Sequence, residues 1–150
     1  MTVTLPLRVY YEDTDASGVV YHATYLRYFE RARTEWLRSL GFEHHELMKC
    51  FGIAFTLASI NVEFLRPARL DDALTVDAEI GRIKRASLDF VQHIHRKADA
   101  TLLCRARARI ACVEMARFRP CALPAALRTR LAVDDSASSL PAANKEYSAT

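Results

Sequence analysis

The stretch that decides the fold is YEDTDASGVVYHATYLRYFERARTEWLRSLG, residues Tyr11–Gly41. Its first part, Glu12–Gly18, is rich in Asp, Ser and Gly, and this composition predicts a turn. In its second part, apolar residues recur at helical spacing, at Tyr25, Phe29, Ala32 and Trp36. We therefore predict one long helix from about His22 to Leu40, ended by Gly41. The apolar stripe is broad, so another layer of the protein should cover most of this helix.

Segments of alternating apolar and polar residues surround the helix and predict β-strands. One precedes the turn, and four follow the helix with short connections: Leu5–Tyr11, Phe55–Leu65, Leu74–Gly81, Leu88–Ile94 and Thr101–Met115. Short connections favour an antiparallel meander over βαβ units. The sequence thus predicts an α+β protein in which a curved antiparallel sheet packs against one long helix.

The chain has 150 residues, which is the length of a single domain. We place this domain at residues 1–133. It includes a helical turn at Glu43–Lys49 and a terminal helix at Pro124–Leu131. The remaining residues, 134–150, are rich in Ser, Ala and Asp and predict a disordered C-terminal tail.

Composition narrows the classes of function. Lys and Arg total 21 against 18 acidic residues, a net charge of +3, which is too small to predict a nucleic-acid-binding tail. No apolar run approaches the ~20 residues of a membrane span, and the N-terminus has no signal-peptide pattern, so we predict a cytoplasmic protein. None of the four cysteines forms a CxxC pair, and we interpret all four as reduced thiols that mostly fill the core.

The candidate chemistry lies where carboxylates precede the long helix. A helix start presents unpaired backbone N–H groups and a partial positive charge. Asp15 lies seven residues before His22, which is too far upstream for a simple cap, because a cap accepts from an N–H about two or three residues later. Gly18 lies between them and would let the backbone approach a ligand closely. From the residues alone, a turn carboxylate and a catalytic carboxylate both remain open.

The same stretch resembles a known family. EDTDASGVVYHATYLRYFERARTEWLRSLG, with NVEFLRPARLDD and IKRASLDF further along, is similar to the 4-hydroxybenzoyl-CoA-thioesterase-like hotdog family. Within that family, the similarity is greatest to the acyl-CoA thioesterases associated with the Tol-Pal envelope system. It extends from about Leu5 to Leu131 and implies a hotdog fold, with active sites at the interface of a homodimer. It also implies that such dimers can pair into a tetramer.

The resemblance implies roles for particular residues. It makes Asp15 the catalytic carboxylate, as general base or as nucleophile, and gives His22 a part through both its backbone N–H and its side chain. Substrate-binding positions are Gly18, Val19 and Tyr21, and in the strand junction Lys84, Arg85 and Ser87. The implied substrate is acyl-CoA, with an acyl-carrier-protein thioester as the alternative. No metal and no bound cofactor are implied.

Other interpretations compete with hydrolysis. A hotdog hydratase would carry a different Asp/His arrangement, and an acyl-thioester sensor or envelope-complex scaffold would use the same pocket without catalysis. Asp13 and Glu12 are expected to make turn hydrogen bonds or salt bridges. The stripe Arg105, Arg107 and Arg109 is expected to face solvent or another subunit.

Overall fold

The computed structural model describes residues 2–137 of the chain. The strands are β1 (Thr2–Arg8), β2 (Ile53–Phe64), β3 (Ala73–Ile83), β4 (Ser87–Arg96), β5 (Leu102–Glu114) and β6 (Arg119–Pro120). The helices are α1 (His22–Ser39), α2 (His44–Glu46) and α3 (Ala125–Ala137). A short 3₁₀ turn covers Tyr11–Asp13, and a π-helical turn follows α2 at Leu47–Phe51.

The strands form one antiparallel sheet in the order β1-β3-β4-β5-β2, and β6 pairs with the end of β5. Strand β2 therefore lies at an edge, beside the last long strand, although it precedes β3 in the chain. The long helix α1 packs against one face of this sheet. This arrangement confirms the predicted α+β hotdog fold.

The core lies between α1 and the sheet. Tyr28, Phe29 and Trp36 on the helix are fully buried, and the Trp36 ring meets the Phe90 ring edge-on with centroids 4.9 Å apart. Burial of a fully apolar side chain such as Phe29 contributes roughly 1.5–3 kcal/mol. On β5, the residues predicted to share one face are all buried: Cys104, Ala106, Ala108, Ile110 and Cys112.

Helix α1 runs antiparallel to β4, and this direction positions the site. Near the helix start, the Tyr25 hydroxyl accepts a hydrogen bond from the N–H of Ala68 (3.1 Å), which lies shortly before β3, and the start of β3 pairs with the end of β4. Halfway along, the buried Gln92 side chain donates to the carbonyl of Phe29 (2.9 Å). Leu88, at the beginning of β4, lines the same cavity as Leu37 near the helix end. The helix start therefore lies by the end of β4, and the helix end lies by its beginning.

The largest differences from the sequence prediction are at β1, β6 and α3, and the bounds of the other elements shift by at most two residues. Strand β1 ends at Arg8 rather than Tyr11, because the chain turns there and the carboxylate of Asp13 accepts from the N–H of Tyr10 (2.8 Å). Strand β6 was not predicted, since two residues carry no alternation. Helix α3 continues to Ala137, past the predicted domain boundary at 133 and into the predicted tail. The rest of that tail, 138–150, lies outside the described residues, so its disorder stays a prediction.

No helix within residues 2–137 combines the length and the apolar character that a membrane crossing requires.

Gly41 ends α1 in a left-handed conformation, with φ of +87°, and its N–H donates to the carbonyl of Arg38 (2.9 Å). We expect Gly41→Ala to lower the free energy of unfolding by about 1 kcal/mol, because a β-carbon is strained at this φ. Gly41→Asn should cost less, since Asn tolerates this region better. Urea unfolding of the three proteins measures the difference, and an unchanged midpoint for the Ala variant would contradict the assignment.

Candidate active site

Asp15 lies in a tight hairpin that returns the chain to the start of α1. Its N–H donates to the carbonyl of Val19 (2.9 Å), and its carbonyl accepts from Gly18 (3.0 Å), whose φ is +78°. One carboxylate oxygen, Oδ1, accepts from the N–H of Ser17 (2.8 Å). The side chain is exposed, and Oδ2 has no hydrogen bond within residues 2–137. The hydrogen bond at Oδ1 fixes the position of the Asp15 carboxylate, and Oδ2 is free to contact a substrate or a water molecule.

Asp13 has the opposite character. It is buried, its carboxylate accepts from the N–H of Tyr10, and its carbonyl accepts from the N–H of Tyr21 (2.9 Å). The predicted structural role of Asp13 is thereby confirmed. Burial and this carboxylate raise the pKa of the neighbouring Tyr28 hydroxyl, so Tyr28 stays protonated at neutral pH.

The start of α1 is not capped by any side chain. Tyr21 occupies the cap position in an extended conformation, and its carbonyl accepts from the N–H of Thr24 (2.9 Å). The backbone N–H groups of His22 and Ala23 have no acceptor within the described part of the chain. His22 and Tyr21 are both exposed, with ring centroids 4.3 Å apart. Two unpaired donors at the positive end of a helix can bind an oxygen that gains negative charge.

A cavity of about 340 Å³ opens beside α1, between the helix and β2. It begins at Leu26, one turn after His22, and neither Asp15 nor His22 lines it. Its walls are mostly apolar, and its polar members include Glu30 and Arg33. The sequence reasoning did not single these residues out. The available signal was the i, i+4, i+7 spacing of Leu26, Glu30 and Arg33, which places them on one face of the helix.

Two arginines, Arg27 and Arg33, line this cavity, and Arg33 is the one held by a buried partner. Nη1 of Arg33 donates to the side-chain oxygen of the fully buried Gln92 (2.9 Å). The amide nitrogen of Gln92 in turn donates to the carbonyls of Phe29 and Asp77. Burial lowers the pKa of the Arg33 guanidinium, although an arginine remains charged at neutral pH. The side chain therefore has a fixed position at the cavity wall.

The predicted CoA-binding residues lie on the turn between β3 and β4. The N–H of Lys84 donates to the carbonyl of Ser87 (2.9 Å), which closes the turn. No acidic side chain within residues 2–133 forms an ion pair with Lys84 or Arg85. Arg128 of α3, which the sequence analysis did not identify, donates to the carbonyls of Lys84 and Arg85 (2.9 Å each). Arg128 thus stabilises the backbone of the turn. The cationic side chains of Lys84 and Arg85 have no described carboxylate partner.

The structure places the predicted site residues in two separate groups. Gly18, Val19 and Tyr21 lie with Asp15 and His22 around the start of α1, whereas the β3–β4 turn lies by the other end of the helix. Since α1 has 18 residues and is therefore about 27 Å long, most of the length of this helix separates the two groups. Within one chain, the catalytic candidates and the CoA-binding candidates do not meet.

Arginines of the predicted stripe on β5 form ion pairs with carboxylates of the neighbouring strands. Arg105 pairs with Glu63 (2.8 Å) and Arg109 with Asp89 (3.1 Å), both on neighbouring strands. The stripe residues Arg105 and Arg109 therefore each have a carboxylate partner.

Within the described residues, no group of three or more His, Cys, Asp or Glu side chains is arranged to hold a metal ion.

Comparison with known proteins places the chain among thioesterases. The model of the Thioesterase-like superfamily matches residues 9–131. The acyl-CoA thioesterase YbgC of Haemophilus influenzae is 43% identical over 121 residues, which are 81% of this chain and 88% of that protein. The acyl-CoA thioester hydrolase YbgC of Escherichia coli is 48% identical over 119 residues, 79% and 87% of the two chains.

Solved structures agree with this placement. The crystal structure of a 1,4-dihydroxy-2-naphthoyl-CoA thioesterase from Synechocystis superposes with a TM-score of 0.82 at 27% identity. The match covers 90% of this chain and 98% of that one.

Proposed function

Because the chain belongs to the thioesterase-like superfamily, we propose that it hydrolyses acyl-CoA to a free acid and CoA, using Asp15 and the start of α1. The relatives of 43% and 48% identity, named as an acyl-CoA thioesterase and an acyl-CoA thioester hydrolase, support the reaction. One observation carries the assignment of the carboxylate: Asp15 is exposed with a free oxygen, whereas Asp13 is buried and bonded to the backbone.

The chemistry follows from these groups. The thioester carbonyl oxygen accepts hydrogen bonds from the free N–H groups at His22 and Ala23. Each well-placed donor would stabilise the developing oxyanion by about 3 kcal/mol. Asp15 Oδ2 then either removes a proton from the attacking water or attacks the carbonyl carbon itself. In the first route, water adds to the carbonyl carbon, the carbon–sulfur bond breaks, and CoA leaves as the thiol with the proton taken from water. In the second route, the carbon–sulfur bond breaks as an anhydride forms between Asp15 and the acyl group. Water then hydrolyses this anhydride to the free acid and the Asp15 carboxylate, and the CoA thiolate takes up the released proton. The exposed His22 ring would contact the bound thioester.

The complete site would need two chains. Because the two groups of residues lie at opposite ends of α1, a second chain in antiparallel orientation would bring its β3–β4 turn to the helix start of the first. Lys84 and Arg85 of that second chain would then bind the phosphates of CoA, with Ser87 beside them. We therefore propose a homodimer as the smallest active form.

The cavity beside α1 is the natural place for the acyl group. It starts one helical turn from the proposed oxyanion site, and its 340 Å³ falls at the small end of ligand-pocket volumes, which are about 300–1,000 Å³. Its apolar walls suit a compact acyl group. Delivery by an acyl carrier protein, pairing of dimers into a tetramer, a Tol-Pal association and a cytoplasmic location stay predictions.

Release of the CoA thiol from a series running from acetyl-CoA to palmitoyl-CoA tests the proposal. We expect hydrolysis of at least one of these, with free acid and thiol formed in equal amounts. The enzyme must be kept at trace concentration, because the exposed Cys50 would react with a thiol reagent. Binding of acyl-CoA without release from any member of the series would instead favour a sensor or scaffold.

A further inference from the structure

Two of the four cysteines lie in contact. Cys112 is near the end of β5, and Cys121 directly follows β6, which pairs with β5. The N–H of Cys121 donates to the carbonyl of Cys112 (2.9 Å), so the two residues face each other across the antiparallel ladder. Side chains opposite each other point to the same side of a sheet. Their sulfur atoms are 3.7 Å apart, and both residues are free thiols.

We propose that Cys112 and Cys121 form a reversible modification site, which closes to a disulfide on reaction with a low-molecular-weight disulfide of the glutathione type. The sulfurs must approach from 3.7 Å to about 2.05 Å. Cys121 can supply this movement, because it follows a strand of only two exposed residues and is itself only partly buried.

The two thiols differ in accessibility, and this sets the order of events. Cys112 is fully buried, and burial together with the hydrogen bond to Cys121 raises its pKa to about 12. A buried thiol of this kind reacts poorly with reagents in solution. Cys121 is therefore the position at which the reagent enters, and Cys112 is the thiol that completes the reaction.

The exchange is balanced in two steps. The Cys121 thiolate attacks one sulfur of oxidised glutathione, whose sulfur–sulfur bond breaks, and one glutathione leaves as the thiol. Cys112 then loses its proton and attacks the Cys121 sulfur, which releases the second glutathione. Two protein thiols are oxidised to one disulfide, and one glutathione disulfide is reduced to two thiols.

A disulfide between Cys112 and Cys121 would restrict the motion of residues 121–123, which contact the β3–β4 turn. Leu123, two residues after Cys121, donates its N–H to the carbonyl of Arg85 (2.9 Å). A covalent link from Cys121 to β5, an interior strand of the sheet, restricts local opening of this segment. We expect amide hydrogen exchange at Leu123 to be several-fold slower in the oxidised protein.

The test incubates the folded protein with a range of reduced-to-oxidised glutathione ratios, followed by acid quench, alkylation and peptide mapping. We expect a linked pair of peptides containing Cys112 and Cys121, which disappears on reduction with dithiothreitol. The link should persist in Cys104→Ser and Cys50→Ser, because neither residue belongs to the pair. In Cys121→Ser, Cys112 should remain a free thiol.

The result that overturns the proposal is equally specific. Cys50 is exposed and acts as the internal control for effective oxidation. If Cys50 is converted to a mixed disulfide while Cys112 and Cys121 both stay free, the two thiols only pack against each other and the proposal is wrong. A Cys121–glutathione adduct that persists without closing onto Cys112 also refutes the site. Neither outcome depends on the thioesterase activity.

Discussion

Replacement of Asp15 by Asn is expected to lower kcat for acyl-CoA hydrolysis by at least about 100-fold, the scale typical of a lost acid–base group. The amide keeps the size of the side chain and can still accept from the N–H of Ser17 through its oxygen. It has no basic or nucleophilic oxygen for the thioester. Because Asp15 is exposed and lies on a surface hairpin, the temperature of unfolding should change little. Steady-state kinetics and thermal unfolding of the same preparation measure both effects.

Asp13 provides the matched control two residues away. Asp13→Asn should lower stability by about 1 kcal/mol, because a neutral amide oxygen accepts the N–H of Tyr10 more weakly than a carboxylate and the new NH2 group is buried at this position. It should retain most of the turnover of the folded protein. The assignment would be wrong if Asp13→Asn abolished turnover without loss of stability while Asp15→Asn remained active.

Mixing two inactive variants is expected to restore activity. One variant carries Asp15→Asn, and the other carries Lys84→Glu and Arg85→Glu, which reverse the charge of the β3–β4 turn. If each site combines the helix start of one chain with the turn of the other, a mixed dimer has one complete site and one doubly defective site. After random reassociation of equal amounts, half of the dimers are mixed, so about a quarter of the wild-type activity should return.

The recovery must be compared with each variant refolded alone, and mass spectrometry of differently tagged chains must show that mixed dimers formed. Each variant alone should have only a few per cent of the wild-type activity or less. Absence of recovery in proven mixed dimers would place the complete site within one chain. It would contradict the two-chain proposal but leave the role of Asp15 untouched.

Most of the fold could be predicted because its elements have strong local periods. The long helix was found at nearly its observed limits, since its apolar stripe and the glycine that ends it are both local signals. The buried face of β5 was found from alternation alone. The end of β1 was not, because it depends on the bond from Tyr10 to Asp13 and on the bond from Val9 to the distant Asp72.

The candidate site was predicted less completely, for a physical reason. Periodicity could not distinguish Asp13 from Asp15 as the catalytic carboxylate, and only the resemblance to a family indicated Asp15. The structure shows that Asp13 is buried and accepts a backbone hydrogen bond, which explains its structural role. The contacts that were missed join residues far apart in the chain: Arg33 with Gln92, Arg128 with the β3–β4 turn, and Cys112 with Cys121. Each depends on strand order and register, which local patterns do not specify.

The central claim is that the carboxylate of Asp15 drives attack on a thioester held at the start of α1. Single-turnover hydrolysis of one acyl-CoA, with enzyme in excess, tests it most directly because substrate binding and product release no longer limit the rate. The account predicts that Asp15→Asn still binds the acyl-CoA but cleaves it at least about 100-fold more slowly than the wild type. Equal cleavage rates for the two proteins would contradict it.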